Sequence, residues 1–133
     1  MTTKIDIPHT HADLLDGPNT AVLTTVGADG QPQSTAVWFL IDDDGLLKTS
    51  ILTSRQKYRN LSRRPKATLF VLDPANPYRS VEIRADIELE PDPEKTLLPR
   101  FAARYNVPVE LLEQAGDDRV IATFAPTRVV TNG

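Results

Sequence analysis

The stretch from Tyr78 to Glu90 constrains the fold more than any other. Val81, Ile83, Ala85, Ile87 and Leu89 alternate with Glu82, Arg84, Asp86, Glu88 and Glu90, the period of two that belongs to a strand with one buried and one wet face. Shorter apolar runs flank it: Ala21 to Val26, Gln33 to Ile41, Leu46 to Leu52, Ala67 to Leu72 and Val120 to Phe124, with Arg128 to Val130 as a possible extension beyond Pro126. The first three follow one another across the turns Gly27-Ala28-Asp29-Gly30 and Asp42-Asp43-Asp44-Gly45. No room is left between them for crossover helices, so they are expected to form an antiparallel meander rather than a parallel sheet.

Helices are few and peripheral. His11 to Leu15 is expected to open the chain as a short helix. Ser54 is a candidate N-cap for a helix that Pro65 ends. Glu94 to Tyr105 and Val109 to Gln114 carry helical patterns, with Pro99 and Pro108 as breaks or first-turn residues. About six strands and marginal helices predict a mainly β fold, a closed or nearly closed antiparallel barrel. No repeat, low-complexity tract or linker divides residues 1–133, which are expected to form one domain. Such a length buries roughly two thirds of its unfolded surface, enough for one core and too little for a deep site unless a second subunit completes it.

The chain carries a net charge of −3, distributed unevenly. Arg55, Lys57, Arg59, Arg63, Arg64 and Lys66 crowd one window that contains no acid. A basic island in an acidic chain implies a localised anionic partner. The segment Ser54-Arg55-Gln56-Lys57-Tyr58-Arg59-Asn60-Leu61 opens the expected helix, where free N–H groups and the dipole favour anions and disfavour cations. Arg55 and Lys57 therefore oppose the local field unless a phosphate is bound, or else they form a solvated basic face.

Other chemistries find little support. The absence of cysteine excludes disulfides, thiolate metal sites and cysteine nucleophiles. His9, His11 and Asp13 precede the expected core in a segment expected to be mobile, which disfavours a metal site and a Ser-His-Asp triad. The Asp42 loop has Thr53 where a calcium loop needs glutamate. Gly27 and Gly30 lead into a strand and not a helix, against a dinucleotide fingerprint. Trp38, within Ala36-Val37-Trp38-Phe39-Leu40-Ile41, either fills the core or borders a planar ligand. Tyr78 is an interface anchor or a strand-start residue. An acidic pI near 5.3 and the lack of aromatics beside the cations argue against nucleic acid. No apolar run approaches the length of a membrane span, and the cytoplasm is the expected compartment. With no acid–base or metal constellation evident, an enzyme here is expected to depend on a phosphate-bearing cofactor.

Three stretches, Thr24 to Gln33, Ala36-Val37-Trp38-Phe39, and Thr49-Ser50 through Ser54 to Leu61, resemble the pyridoxamine 5′-phosphate oxidase-like superfamily. The likeness is to its F420-dependent branch, the flavin/deazaflavin oxidoreductases of the B type, and runs from about Asn19 to Val130. The resemblance implies an FMN-binding-like split β-barrel, an antiparallel six-stranded Greek-key barrel. It also implies a homodimer with two cofactor sites at the subunit interface. Arg55, Lys57 and Asn60 would hold the cofactor phosphate. Gln33, Val37, Trp38, Ser50 and Ile51 would border the tricyclic ring, partly through backbone groups. Tyr78 and Arg79 would reach in from the partner. The segment Pro126 to Gly133 lacks the pyridoxal phosphate-binding groups of the oxidase proper, which disfavours vitamin B6 synthesis. The cofactor implied is coenzyme F420, with FMN as the alternative, because both carry a ribityl phosphate. Arg59, Arg63 and Arg64 suit the anionic tail of F420. The activity implied is hydride transfer between reduced deazaflavin and an unsaturated small organic substrate. The alternatives are an FMN-dependent oxidoreductase of the same fold and a non-enzymatic flavin- or deazaflavin-binding module. Haem is disfavoured, since His9 and His11 are the only histidines.

Overall fold

The computed structural model describes residues 6–114 and 116–133. Its strands are β1 (Ala21–Val26), β2 (Pro32–Val37), β3 (Leu40–Ile41), β4 (Leu47–Leu52), β5 (Lys66–Leu72), β6 (Ser80–Pro91) and β7 (Arg119–Asn132). The helices are α1 (Asp13–Asp16), α2 (Gln56–Arg63) and α3 (Leu98–Tyr105). All seven strands join one antiparallel sheet in the order β2-β1-β5-β6-β7-β4-β3. Inward side chains from the central strands and from both edge hairpins meet in one cluster that includes Leu23, Phe39, Leu47, Ile51, Leu69, Ile83 and Phe124. The sheet thus wraps around this core as an open, split barrel, and a second cluster joins Leu40 and Ile121 of the sheet to Leu97, Leu98 and Phe101. Leu14 and Leu15 of α1 and Leu61 of α2 close its ends.

The alternation in β6 has the expected sense: Val81, Ile83, Ala85 and Ile87 are buried. Its partner is β7, a single strand from Arg119 to Asn132 and not two pieces around Pro126. The ladder shifts register between Arg84 and Ala85, opposite Pro126 and Arg128. Pro126 has no N–H to offer, and the irregularity falls where that donor is missing. The Thr127 hydroxyl instead donates to the Arg84 carbonyl at 3.1 Å.

Several expectations require correction. The first three strands do not form a meander. β1–β2 and β3–β4 are separate hairpins at opposite edges of the sheet, and β4 pairs with β7. The run expected as one strand from Gln33 to Ile41 breaks at Trp38 and Phe39, giving seven strands in place of six. Side chains satisfy the backbone at the break. Thr49 Oγ1 donates to the Trp38 carbonyl at 2.6 Å, and the Tyr105 hydroxyl accepts from the Phe39 N–H at 3.2 Å while donating to the Asn19 carbonyl at 2.8 Å. The N-cap of α2 is Arg55 and not Ser54, and no side chain caps it.

The helix expected from Glu94 starts only at Leu98. Asp92 accepts hydrogen bonds from the Thr96 N–H and hydroxyl, and Lys95 takes a positive φ of 52°, so the intervening residues form a turn. Val109–Leu111 is a single 3₁₀ turn. The segment around His9 and His11 is also pinned to the barrel and not loose. His11 is buried, with Nε2 donating to the Asn132 carbonyl at 2.8 Å. Arg79 reaches back to Asp13, to the Thr10 carbonyl and to Asp73.

The turn between β3 and β4 holds a charge network. Gly45 supplies the left-handed residue, with φ of 80°. Asp42 accepts from Lys48 Nζ at 2.7 Å, from its neighbour's N–H at 2.7 Å and from Arg100 of α3. These donors, Lys48 first, hold the Asp42 carboxyl well below its ordinary value of 3.8. A carboxylate depressed in the folded state contributes stability above its unfolded pKa and loses it as pH falls below that value. Asp42→Asn should therefore lower unfolding free energy at pH 7 by about 1.5–3 kcal/mol. Urea unfolding at a series of pH values should show the gap to wild type narrowing as pH falls below about 3.8; a gap that stays constant from pH 7 to pH 2 contradicts this account.

Candidate functional site

Two adjoining hollows share Ala36 and Lys57. The inner one is a cavity of about 260 Å³ lined by Thr20, Ala36, Val37, Trp38, Thr49, Ser50, Lys57, Leu98, Phe101, Leu112 and Arg119. The outer one is a groove of about 530 Å³ lined by Gln33, Thr35, Ala36, Ser54, Arg55, Gln56 and Lys57. A third hollow, along Gly27, Asp29, Gln31, Gln33, Gln56 and Asn60, continues past the outer groove. A strip therefore runs along edge strand β2 from an aromatic-walled end to the start of α2.

The backbone break at Trp38 shapes the inner wall. It frees the indole from the sheet's alternation and lets it stack on Tyr105, with ring centroids 4.2 Å apart and planes 4° from parallel. The Tyr105 hydroxyl is locked by Phe39 and Asn19, which fixes the stack. From α3, Leu98 and Phe101 add apolar lining and pack in one cluster with Trp38 and Tyr105, and Arg100 ties the helix to Asp42.

At the junction, Lys57 Nζ is half-buried and donates to Thr35 Oγ1 at 3.3 Å. Among the described residues no carboxylate forms an ion pair with it. Burial lowers its pKa below 10.5, and the charges of Arg55 and Arg119 push in the same direction. Three cations thus face one another across the site. The uncapped first turn of α2 adds its N–H groups to the outer groove. These groups fit a phosphate: the donors are present, and the buried ammonium lacks a counter-charge.

The residues expected at the site are distributed as follows. Val37, Trp38, Ser50 and Lys57 line the inner cavity, and Gln33, Arg55 and Lys57 line the groove. Ile51 is fully buried in the core, so its side chain does not face the cavity. Asn60 is 1% exposed, and its amide is engaged. Nδ2 donates to Thr25 Oγ1 at 3.0 Å and to Gln33 Oε1 at 3.3 Å, and Oδ1 accepts from Gln56 at 2.8 Å. It ties α2 to β1 and β2 and so aims the groove. Arg59 is held by the Ser54 carbonyl and Gln56. Tyr78 and Arg79 lie outside both hollows; Tyr78 is 84% exposed, and Arg79 is occupied by Asp13 and Asp73. Sequence reasoning missed Arg119, Leu98, Phe101 and Leu112. Among the described residues, no group of three histidines or acids could hold a metal, and no helix is long and apolar enough to cross a membrane.

A lysine whose pKa is depressed by folding is destabilising while charged, and the unfolded chain binds its proton more tightly. Stability from this group therefore rises with pH towards 10.5. Lys57→Met should raise the melting temperature of the ligand-free protein at pH 7, with the advantage shrinking as pH approaches 10. A fall at pH 7 would show that the charge is already compensated. Inorganic phosphate should stabilise the wild type more than the variant.

The model of the pyridoxamine 5′-phosphate oxidase family matches residues 7–133. The chain matches no curated protein. Among solved structures, an F420 reductase is 38% identical, with a TM-score of 0.83, over 93% of this chain and 98% of that one. A conserved hypothetical protein, Rv2991 from Mycobacterium tuberculosis, is 25% identical, with a TM-score of 0.75, over 99% and 88%. HutZ, a heme storage protein from Vibrio cholerae, shares the fold at 17% identity and a TM-score of 0.74, over 97% and 96%. A match across nearly the whole chain, on a split barrel with a basic groove at its edge, shows that this protein belongs to the pyridoxamine 5′-phosphate oxidase family.

Proposed function

We propose that the protein is an F420-dependent oxidoreductase acting on an unsaturated small organic molecule. The observation that carries this reading is Lys57: a half-buried cation without an acid partner among the described residues, placed where the groove at the start of α2 meets a cavity lined in part by Trp38 and Phe101. The 38% identical F420 reductase supports the choice of cofactor. Arg55 and Lys57 would hold the ribityl phosphate, and Trp38, Val37 and Ser50 would border the ring. Asn60 would act by orienting Gln33 and Gln56. Arg63 and Arg64, both exposed, would meet the anionic tail. Reduced F420, when bound, would supply the hydride. The protein's part is to fix the ring against the apolar lining, exclude water through Leu98 and Phe101, and leave a face open to substrate.

The site would be completed by a second copy of the chain. Val22 and Phe70 are exposed and sit opposite each other in the β1–β5 ladder, with exposed Leu72 two residues along the same face. Tyr78, projecting from the loop before β6, is the residue available to enter a partner's site, while Arg79 braces that loop from within its own chain.

Titration of the purified protein with F420 and with FMN tests the reading. F420 should bind, and Lys57→Ala and Arg55→Ala should each weaken it by about 1.5–3 kcal/mol, the value of a charge-assisted contact. Tighter binding of FMN would transfer the assignment to that cofactor, and unchanged affinity in both variants would overturn it. Sedimentation should give a dimer that Phe70→Glu dissociates; a monomeric wild type rules out the shared site.

A further inference from the structure

Arg55 and Lys57 account for the phosphate end of the strip and leave Arg119 without an assignment. Arg119 opens β7 opposite Leu52 of β4, which places its side chain in the wall of the inner cavity beside Ser50 and Lys57. That side chain is 13% exposed. Nη1 donates to Ser50 Oγ at 3.3 Å and Nη2 to the Leu112 carbonyl at 3.0 Å, while Nε is buried with no partner. The carboxylate of Asp117 forms a long ion pair with it at 3.8 Å, without a hydrogen bond, and the charges of Asp92 and Glu113 add to the attraction. A guanidinium does not shed its proton, so unlike Lys57 it cannot escape burial by becoming neutral. With Nε unpartnered, burial outweighing these carboxylates and a second cation in the same cavity wall, the charge is only partly compensated, and an entering anion would lower its cost.

The surroundings restrict which anion. Trp38, Leu98, Phe101 and Leu112 make up the apolar part of the cavity's lining, with Trp38 packed on the cluster that holds Leu98 and Phe101. A hydrated phosphate dianion suits the open groove at the start of α2 and not these apolar walls. A guanidinium fork matches a planar, two-oxygen edge. We propose that Arg119 makes the inner cavity a second anion subsite, selective for a planar, delocalised monoanion joined to a conjugated body. The two sources of that chemistry are a conjugated carboxylate on the substrate and an acidic edge of the cofactor ring. The subsite rests on the F420 reading only in that the phosphate is placed at the other end.

Cinnamate and cinnamamide have the same shape and differ in charge, so their affinities for the ligand-free protein report the subsite directly. Cinnamate should bind at least about tenfold more tightly than the amide, as expected for a charge-assisted pair. Arg119→Gln should reduce that ratio to near one, and Arg119→Lys, which keeps the charge, should retain part of it; thermal melts establish that both variants are folded. Equal affinities in the wild type, or an undiminished ratio in Arg119→Gln, would overturn the proposal. Repeating the titration with F420 present separates the sources: displacement of cinnamate assigns the subsite to the cofactor ring, and a ternary complex assigns it to substrate. If F420 fails to bind while the acid/amide ratio stands, the cofactor reading falls and the subsite survives.

Discussion

The antiparallel ladder between β6 and β7 is the pairing on which the rest of the molecule depends. It runs from Ser80 opposite Asn132 to Pro91 opposite Val120, and each strand carries a further neighbour on its outer edge, β5 on one side and β4 on the other. The buried faces of both strands supply the middle of the core. The irregularity at Arg84 and Ala85 bends the longest part of the sheet and lets it curl. Because β4 is aligned on β7, the ladder also sets the height of Ser50 and the point at which Arg119 enters the cavity. Barrel construction and cation placement are one arrangement.

What could be read from the sequence follows from how local each signal is. The alternation from Val81 to Leu89 names a strand because each residue's side is fixed by its own neighbours. The basic run beginning at Arg55 marks a helix start for the same reason. The partner of β4 could not be read, because Leu47 to Leu52 fits any edge equally well, and the choice of β7 over β2 is made by sequence-distant packing. The break at Trp38 was invisible too. It depends on hydrogen bonds from Thr49 and Tyr105, which lie 11 and 66 residues away. Arg119 reads in sequence as an ordinary charged residue after two aspartates. Only the fold shows that it is buried and that its ion pair with Asp117 is a long one, without a hydrogen bond.

The candidate site gathers cations that the folded chain compensates only in part. Lys57, Arg55 and Arg119 raise one another's cost, whereas Asp42 and Lys48 of the β3–β4 hairpin and Arg100 of α3 are closely paired. The same types of side chain stabilise the scaffold in one place and strain it in the other. The difference lies in whether a carboxylate of the protein is close enough to hydrogen-bond the cation. Asn60 separates the two regimes. It is buried, neutral and fully hydrogen-bonded, and it holds α2 against β1 so that the charged residues beside it cannot relax away from each other.

The break in the sheet at Trp38 also has an optical consequence. The chain contains one tryptophan, and it forms a wall of the inner cavity, stacked on Tyr105 and held there by a locked hydroxyl. Its emission therefore originates from a single, orientationally fixed environment. A flat chromophore absorbing in the near ultraviolet and entering the cavity would lie within energy-transfer distance of that indole. Occupancy of the site is thus written into the intrinsic fluorescence of the protein, with no label required.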